Sequence, residues 1–316
     1  MIRSVLVPLD GSPFGEHALP LAVSVARRAG ATLRLLHVQS LLDSYFSDAP
    51  LLDETLEASL KERQRLADLA YLHAVGKRLS ALAPVSVTPL VAEGEVAATI
   101  TAQAIKTAAD LVVMTTHGRG PLGRFWMGSV ADELVRTLPI PLLLVRPREA
   151  APDFRKELVL KRLLVPLDGS DLAEQVLEPA LALGQLMDAE YTLVRVIRPI
   201  LPLGVLPEAG TFGEQTREMI DKVEAEQRRQ RAEAEKYLEQ VATRLREQSL
   251  QVQTRVLVED RPVAGILDEA QAAGADLIAL GTHGRRGLAR LLVGSVADKV
   301  VRGSPLPVLL HRPRQA

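Results

Sequence analysis

The chain has 316 residues, 47% of them apolar and 24% charged, with a net charge of −1, which is the composition of a soluble globular protein of about two domains. So neutral a balance leaves no electrostatic footprint for nucleic acid or a membrane surface, and the lack of cysteine excludes disulfides, cysteine zinc sites and thiol nucleophiles. No apolar run reaches the ~20 residues of a membrane span, and Pro8 and Asp10 interrupt the first apolar run too early for a signal peptide, so the expected location is cytoplasmic.

In chain order, Ser4–Leu9 reads as a short apolar strand that runs into Asp10-Gly11-Ser12. It is followed by a helix over Gly15–Ala29, a strand over Thr32–Val38, a helix over roughly Leu52–Leu82 and a strand over Val85–Val91. A helix over Glu95–Ala108, a strand over Leu111–Met114, a helix over Ser129–Leu138 and a strand over Leu142–Val145 complete the first half. The strands are short and rich in leucine or β-branched residues, as strands buried on both faces are. Their alternation with helices implies a parallel sheet covered on both sides.

Residues 148–160, with Pro152 and mixed charges, read as a linker between domains at 1–147 and 161–316. Beyond it, strands begin near Arg162, Tyr191, Val252, Leu277 and Val308. Pro199, Pro202, Gly204, Pro207 and Gly210 mark a loop, and Gly213–Ser249 is a long Glu/Arg/Gln-rich helical stretch. Its thin apolar stripe, Val223, Tyr237, Leu238, Val241 and Leu245, suits packing on its own domain and is too sparse for a coiled coil.

The two halves are copies. Val5-Leu6-Val7-Pro8-Leu9-Asp10-Gly11-Ser12 recurs as Leu163-Leu164-Val165-Pro166-Leu167-Asp168-Gly169-Ser170. Thr116-His117-Gly118-Arg119 recurs as Thr282-His283-Gly284-Arg285, and Gly128-Ser129-Val130-Ala131-Asp132 as Gly294-Ser295-Val296-Ala297-Asp298. The offset is 158 for the first motif and 166 for the others, so the second half carries eight extra residues in its middle.

The candidate chemistry sits in these repeats. Gly281-Thr282-His283-Gly284, nine residues, then Gly294-Ser295 follows the fourth strand and opens a helix. Glycines let a phosphate approach the backbone, and the free amides and dipole of a helix N-terminus favour an anion. The Ser295 hydroxyl adds a donor or an N-terminal cap, and Arg285, Arg286 and Arg290 are placed to pair with phosphate oxygens. Asp10 and Asp168 end the first strand of each half and either accept from a ribose or order the turn and cap the next helix.

The pattern Gly-x2-Gly-x9-Gly-Ser after a Val-Pro-Leu-Asp-Gly-Ser strand resembles the ATP-binding branch of the universal stress protein family, over nearly all of both halves. That resemblance implies an α/β fold: two tandem doubly wound five-stranded parallel sheets, strand order 3-2-1-4-5, of the adenine nucleotide alpha hydrolase-like kind. It implies Asp10, Val38, Met114, Gly118, Gly128, Ser129 and Val130 as the first nucleotide site. The second is Asp168, Val196, Leu280, Gly281, Gly284, Gly294, Ser295 and Val296, with Arg285 beside it. Thr115 replaces the leading glycine in the first half, and Asp260 replaces Gly94 in the second, so the complete loop favours the second half. The family's antiparallel pairing of last strands implies an intramolecular pseudo-dimer through Leu142–Val145 and Val308–Leu310, with a pseudo-twofold and room for a further homodimer.

Other motifs carry less. Gly118-Arg119-Gly120-Pro121-Leu122-Gly123 matches a dinucleotide fingerprint, but it follows the fourth strand and the second half lacks it. No P-loop exists. His117 and His283 lack partners at metal or catalytic spacing and read as loop-ordering residues. Phe125 and Trp126 suit either the interior or a docking ridge. The sequence shows no activated nucleophile, general base or dedicated metal site. The expected function is an ATP-binding sensor or regulator, with Mg2+ accompanying the nucleotide and an unknown protein partner, rather than an efficient enzyme.

Overall fold

The computed structural model describes residues 1–40, 54–82, 84–117, 127–148, 150–155, 157–200, 214–282 and 294–313. In the first half the elements are β1 (Ser4–Pro8), a 3-10 turn (Gly15–Ala18), α1 (Leu19–Ala29), β2 (Thr32–Gln39), α2 (Glu54–Ser80), β3 (Val87–Glu93), α3 (Val96–Lys106), β4 (Leu111–Thr115), α4 (Ser129–Thr137) and β5 (Leu142–Val145). The second half runs β6 (Arg162–Pro166), α5 (Asp171–Glu174), α6 (Leu177–Met187), β7 (Glu190–Ile197), α7 (Glu214–Arg246), β8 (Val252–Val258), α8 (Pro262–Ala272), β9 (Leu277–Gly281), α9 (Ser295–Gly303) and β10 (Val308–His311).

The helix expected over Gly15–Ala29 is two pieces, a 3-10 turn and then α1. Pro20 sits in the first turn of α1, where a missing N–H costs nothing. The second half repeats the break between α5 and α6. α3 starts later than expected because Glu95 is its cap, accepting from Ala97 N at 3.1 Å and Ala98 N at 2.7 Å. Pro89 lies inside β3, which is tolerated because β3 pairs only with β2 at the sheet edge.

The strands form one sheet in the order β3-β2-β1-β4-β5-β10-β9-β6-β7-β8. Each half therefore has the order 3-2-1-4-5 with parallel pairing. The halves join where β5 meets β10 antiparallel, with Leu143 opposite Leu309. Two hydrophobic cores result, and each takes buried side chains from both halves. One holds Val7, Leu35 and Leu143 with Val165, Leu193 and Leu309. The other holds Leu6, Val112 and Leu144 with Leu164, Ile278 and Leu310. Polar contacts cross the same seam. Arg302 donates to Asp132 at 3.1 Å, Arg146 to the Arg302 carbonyl at 2.5 Å, and Arg312 to the Thr137 carbonyl at 3.2 Å.

The segment expected as a linker is laid along α1. Glu157 pairs with Arg27 and, at 2.8 Å, with Arg28, and Leu158 N donates to Ser24 Oγ at 3.0 Å. Phe154 packs on the core beneath the Arg78 guanidinium, 5.4 Å from its ring centroid. In α7, Leu238, Val241 and Leu245 are buried in the first of these shared cores. Its N-terminal part carries exposed i,i+4 pairs such as Lys222–Glu218 and Arg231–Glu235, each contributing a few tenths of a kcal/mol. Among the described residues no helix is long and apolar enough to cross a membrane.

Candidate functional site

In a doubly wound sheet the crevice opens at the C-terminal strand ends, where the strand order reverses. Here that point lies between β1 and β4 in one half and between β6 and β9 in the other. β2 lies beside β1, and β7 beside β6. The register therefore brings Asp10, Val38 and Met114 to one sheet edge, and Asp168, Val196 and Leu280 to its counterpart.

Gly11, with φ of +79°, and Gly169, with φ of +86°, turn the chain sharply after each aspartate. The backbone N–H and hydroxyl of Ser12 both donate to Asp10 Oδ1, at 3.0 and 2.7 Å, and Ser12 Oγ accepts from Gly15 N at 3.2 Å. The second half matches it: Ser170 donates twice to Asp168 Oδ1, at 3.0 and 2.6 Å, and accepts from Ala173 N at 3.2 Å. The serine thus caps the following turn, and the aspartate fixes the serine.

α4 and α9 begin at Ser129 and Ser295, with Gly128 and Gly294 at the cap positions. Neither glycine can supply a side-chain cap, and no side chain caps either helix. Of the two roles open to the Ser295 hydroxyl, donor or cap, the cap is excluded: Ser295 is the first helical residue and is exposed. The N-terminal amides of these helices, including those of Val130 and Val296, have no i−4 carbonyl partner within the helix. Each cap glycine is tied back to the loop entrance, Gly128 N to the Thr116 carbonyl at 2.8 Å and Gly294 N to the Thr282 carbonyl at 2.6 Å. Gly118, Gly284 and Arg285, with His283, Arg286, Arg290, Phe125 and Trp126, lie outside the described residues.

The two departures from the repeat have different consequences. Thr115, where the second half has Gly281, is buried and donates to the His117 carbonyl at 2.8 Å. Asp260, where the first half has Gly94, is exposed. Gly94 has φ of +141°, and a Cβ there would stand 2.6 Å from Thr99 Oγ1. The counterpart of Thr99 is Gly265, so in the second half the bulk has moved from one side of the turn to the other.

A further set of residues, outside the repeated motifs, links the turn after each aspartate to the long helix of its half. Tyr71 of α2 donates to Glu16 at 3.1 Å, and Arg78, two turns further along the same face, donates to the same carboxylate at 2.7 Å. In the second half Arg244 of α7 donates to Glu174 at 2.5 Å, and Arg195 stacks 5.1 Å from the Tyr237 ring centroid. Burial, then Glu16 and Asp10, push the Tyr71 hydroxyl far above the phenol range. Burial, then Glu174 and Asp168, do the same to Tyr237. Both phenols stay protonated; Tyr71 and Arg78 in the first half, and Arg244 in the second, tether a long helix to the turn that carries the aspartate. The signal was in the sequence, but split: Glu16 and Glu174 repeat at offset 158, Tyr71 and Tyr237 and Arg78 and Arg244 at 166.

His117 enters the first loop with Nδ1 3.0 Å from Thr116 Oγ1, while its buried Nε2 has no partner among the described residues. Burial, then the Arg146 and Arg302 cations, hold its pKa below the ordinary imidazole value. A histidine depressed in the folded state binds its proton more readily when unfolded. Its share of stability is present above the ordinary value, ~6.5, and is lost as pH falls from there toward the lowered folded pKa. Between pH 7 and 5, the melting temperature of His117→Gln should therefore fall less than that of the parent chain. An equal fall in both would rule the contribution out.

Among the described residues no three His, Asp or Glu side chains gather as a metal site.

The model of the universal stress protein family matches residues 1–146 and again 160–312. A universal stress protein of Methanocaldococcus jannaschii is 31% identical over 154 residues, covering 49% of this chain and 83% of that protein. One of Mycolicibacterium smegmatis is 27% identical over 311 residues, covering 98% and 97%. The crystal structure of a universal stress protein from Archaeoglobus fulgidus shares the fold, with a TM-score of 0.60 at 15% identity over 98% of this chain and 96% of that one. The chain belongs to the universal stress protein family, with two successive matches to the family along its length.

Proposed function

We propose that the chain binds an adenine nucleotide, ATP with Mg2+, and uses its binding to regulate interaction with a protein partner. The observation that carries this reading is the duplicated pair of α4 and α9. Each opens on a glycine without a side-chain cap, after the strand that borders the aspartate-bearing edge. Such an N-terminus suits phosphate. Backbone amides at Ser129 and Val130, and at Ser295 and Val296, would hold phosphate oxygens, with Gly118, Gly128, Gly284, Gly294 and Arg285 shaping the loop. Asp10 and Asp168 would accept from ribose hydroxyls. Val38, Met114, Val196, Leu280 and Gly281, at the strand ends, would border the adenosine. Mg2+ would arrive with the phosphates, which hold it with few protein ligands.

The nucleotide acts by binding one conformation or assembly state more tightly than another. Calorimetry of the purified chain with ATP and Mg2+ should show saturable binding, with the nucleotide recovered intact. Steady accumulation of ADP would instead mark a slow ATPase or phosphotransferase. No heat, and no nucleotide released on denaturation, would leave a scaffold independent of nucleotide.

A further inference from the structure

Duplication lets a surface of one half be compared with its counterpart in the other. The segment before β6 fills a seat on α1. Leu158 bonds Ser24 there, the Ala150 carbonyl lies 2.8 Å from His17 Nε2, and Phe154, Leu158 and Val159 pack on the core. Moved by 158 residues, His17, Ser24 and Val25 become Gln175, Ala182 and Leu183 on α5–α6. Those three residues, with Glu178 and Pro179 of α6 and His311 of β10, line an open cleft of about 510 Å3, whose other wall comes from the first half, including Ile2 and Pro139–Pro141. Ile2 is itself the counterpart of Leu160. The cleft is thus the pseudo-twofold equivalent of a seat that accepts an extended, largely apolar peptide. Its volume lies within the ~300–1,000 Å3 range of ligand sites.

The two seats carry different charges at different positions. α1 presents Arg27 and Arg28 to Glu157 of its occupant. On α6 the corresponding residues are Gln185 and Leu186, and exposed Glu178 on the cleft wall stands where α1 has Pro20. We infer that this cleft docks a segment of a partner protein: an extended, mainly apolar peptide carrying a lysine or arginine that meets Glu178. The α1 seat does not compete, because its tethered segment occupies it at high effective concentration.

Two fluorescent synthetic peptides copying residues 150–160, one native and one carrying Glu157→Lys, can be titrated into the full chain and followed by anisotropy. The Glu157→Lys peptide should bind saturably and at least tenfold more tightly. Glu178→Lys, an exposed change, should reverse that order, and Ala182→Trp, which fills the cleft, should remove both. No saturation, or equal binding of the two peptides that ignores Glu178→Lys, would overturn the proposal. A concentration-dependent dimer lost in Ala182→Trp would make a second copy the occupant. Binding that appears only after removal of residues 314–316 would make it the chain's own C-terminus. Either result would also overturn it.

Discussion

Leu143→Ala should lower the stability of the whole chain by about 3 kcal/mol and move one unfolding transition down by about 4–5 °C, rather than softening one half. Leu143 and Leu309 face each other at the centre of the β5–β10 seam, and both are fully buried. Removing three carbons there leaves a void that neither strand can close, since β5 is held on its other side by β4 and β10 by β9. Cooperativity follows from the cores: on each face of the sheet, buried side chains of both halves form one contiguous cluster. Opening one half strips the other of apolar contacts and of the Arg302–Asp132 and Arg146–Arg302 bonds. Leu66→Ala serves as the control, because Leu66 is 53% exposed and its loss should be nearly silent. Scanning calorimetry that resolves two transitions, only one of them shifted, would show that the halves are independent units and that the seam is weak.

Much of this architecture was legible in the sequence because burial on both faces leaves short leucine- and valine-rich strands whose order a duplication then repeats. The misjudged boundaries were set by particular side chains. Glu95, a good helix former, is spent as a cap. Pro20 lets α1 restart after a 3-10 turn. The segment 148–160, with Pro152 and mixed charges, is not a free tether: Phe154, Leu158 and Val159 are partly buried and pack against the core. Its polarity is local, with Glu157 answering Arg27 and Arg28 on a helix far away in sequence.

The site was legible only in part. Asp10 and Asp168 were found by repetition, but whether each served a ligand or its own turn could not be read locally. The structure shows the turn role through Ser12 and Ser170. The Tyr71–Glu16–Arg78 set and its counterpart were invisible to motif spacing because their members lie on both sides of the eight-residue insertion. The exchange of Gly94 for Asp260 is visible in the repeat, but its pairing with the exchange of Thr99 for Gly265 shows only in three dimensions, where Gly94 and Thr99 are neighbours.

The largest effect on the proposed nucleotide binding should come from placing one carboxylate at each phosphate-facing helix start. Ser129→Glu and Ser295→Glu alter exposed first-turn residues. An acidic side chain there complements the helix dipole, so α4 and α9 should be unharmed or steadied by ~0.3–1 kcal/mol. A bound triphosphate would meet the same charge at close range, where like charges about 4 Å apart repel by up to ~4 kcal/mol near a protein surface. A loss of ATP affinity of at least tenfold, about 1.4 kcal/mol, should therefore appear with no fall in melting temperature. That pairing separates repulsion from misfolding. Ser→Ala at the same positions should change affinity little if backbone amides do the holding. A loss as large as that of the glutamate variants would transfer the role to the hydroxyl. The two halves should also differ. Thr115 is buried and bonded to the His117 carbonyl at the entrance of the first loop, whereas Gly281 leaves that place without a side chain. Ser295→Glu should cost more binding than Ser129→Glu for that reason. Unchanged ATP affinity in the double variant would remove the helix starts from the site and, with them, the main support for a nucleotide in either crevice.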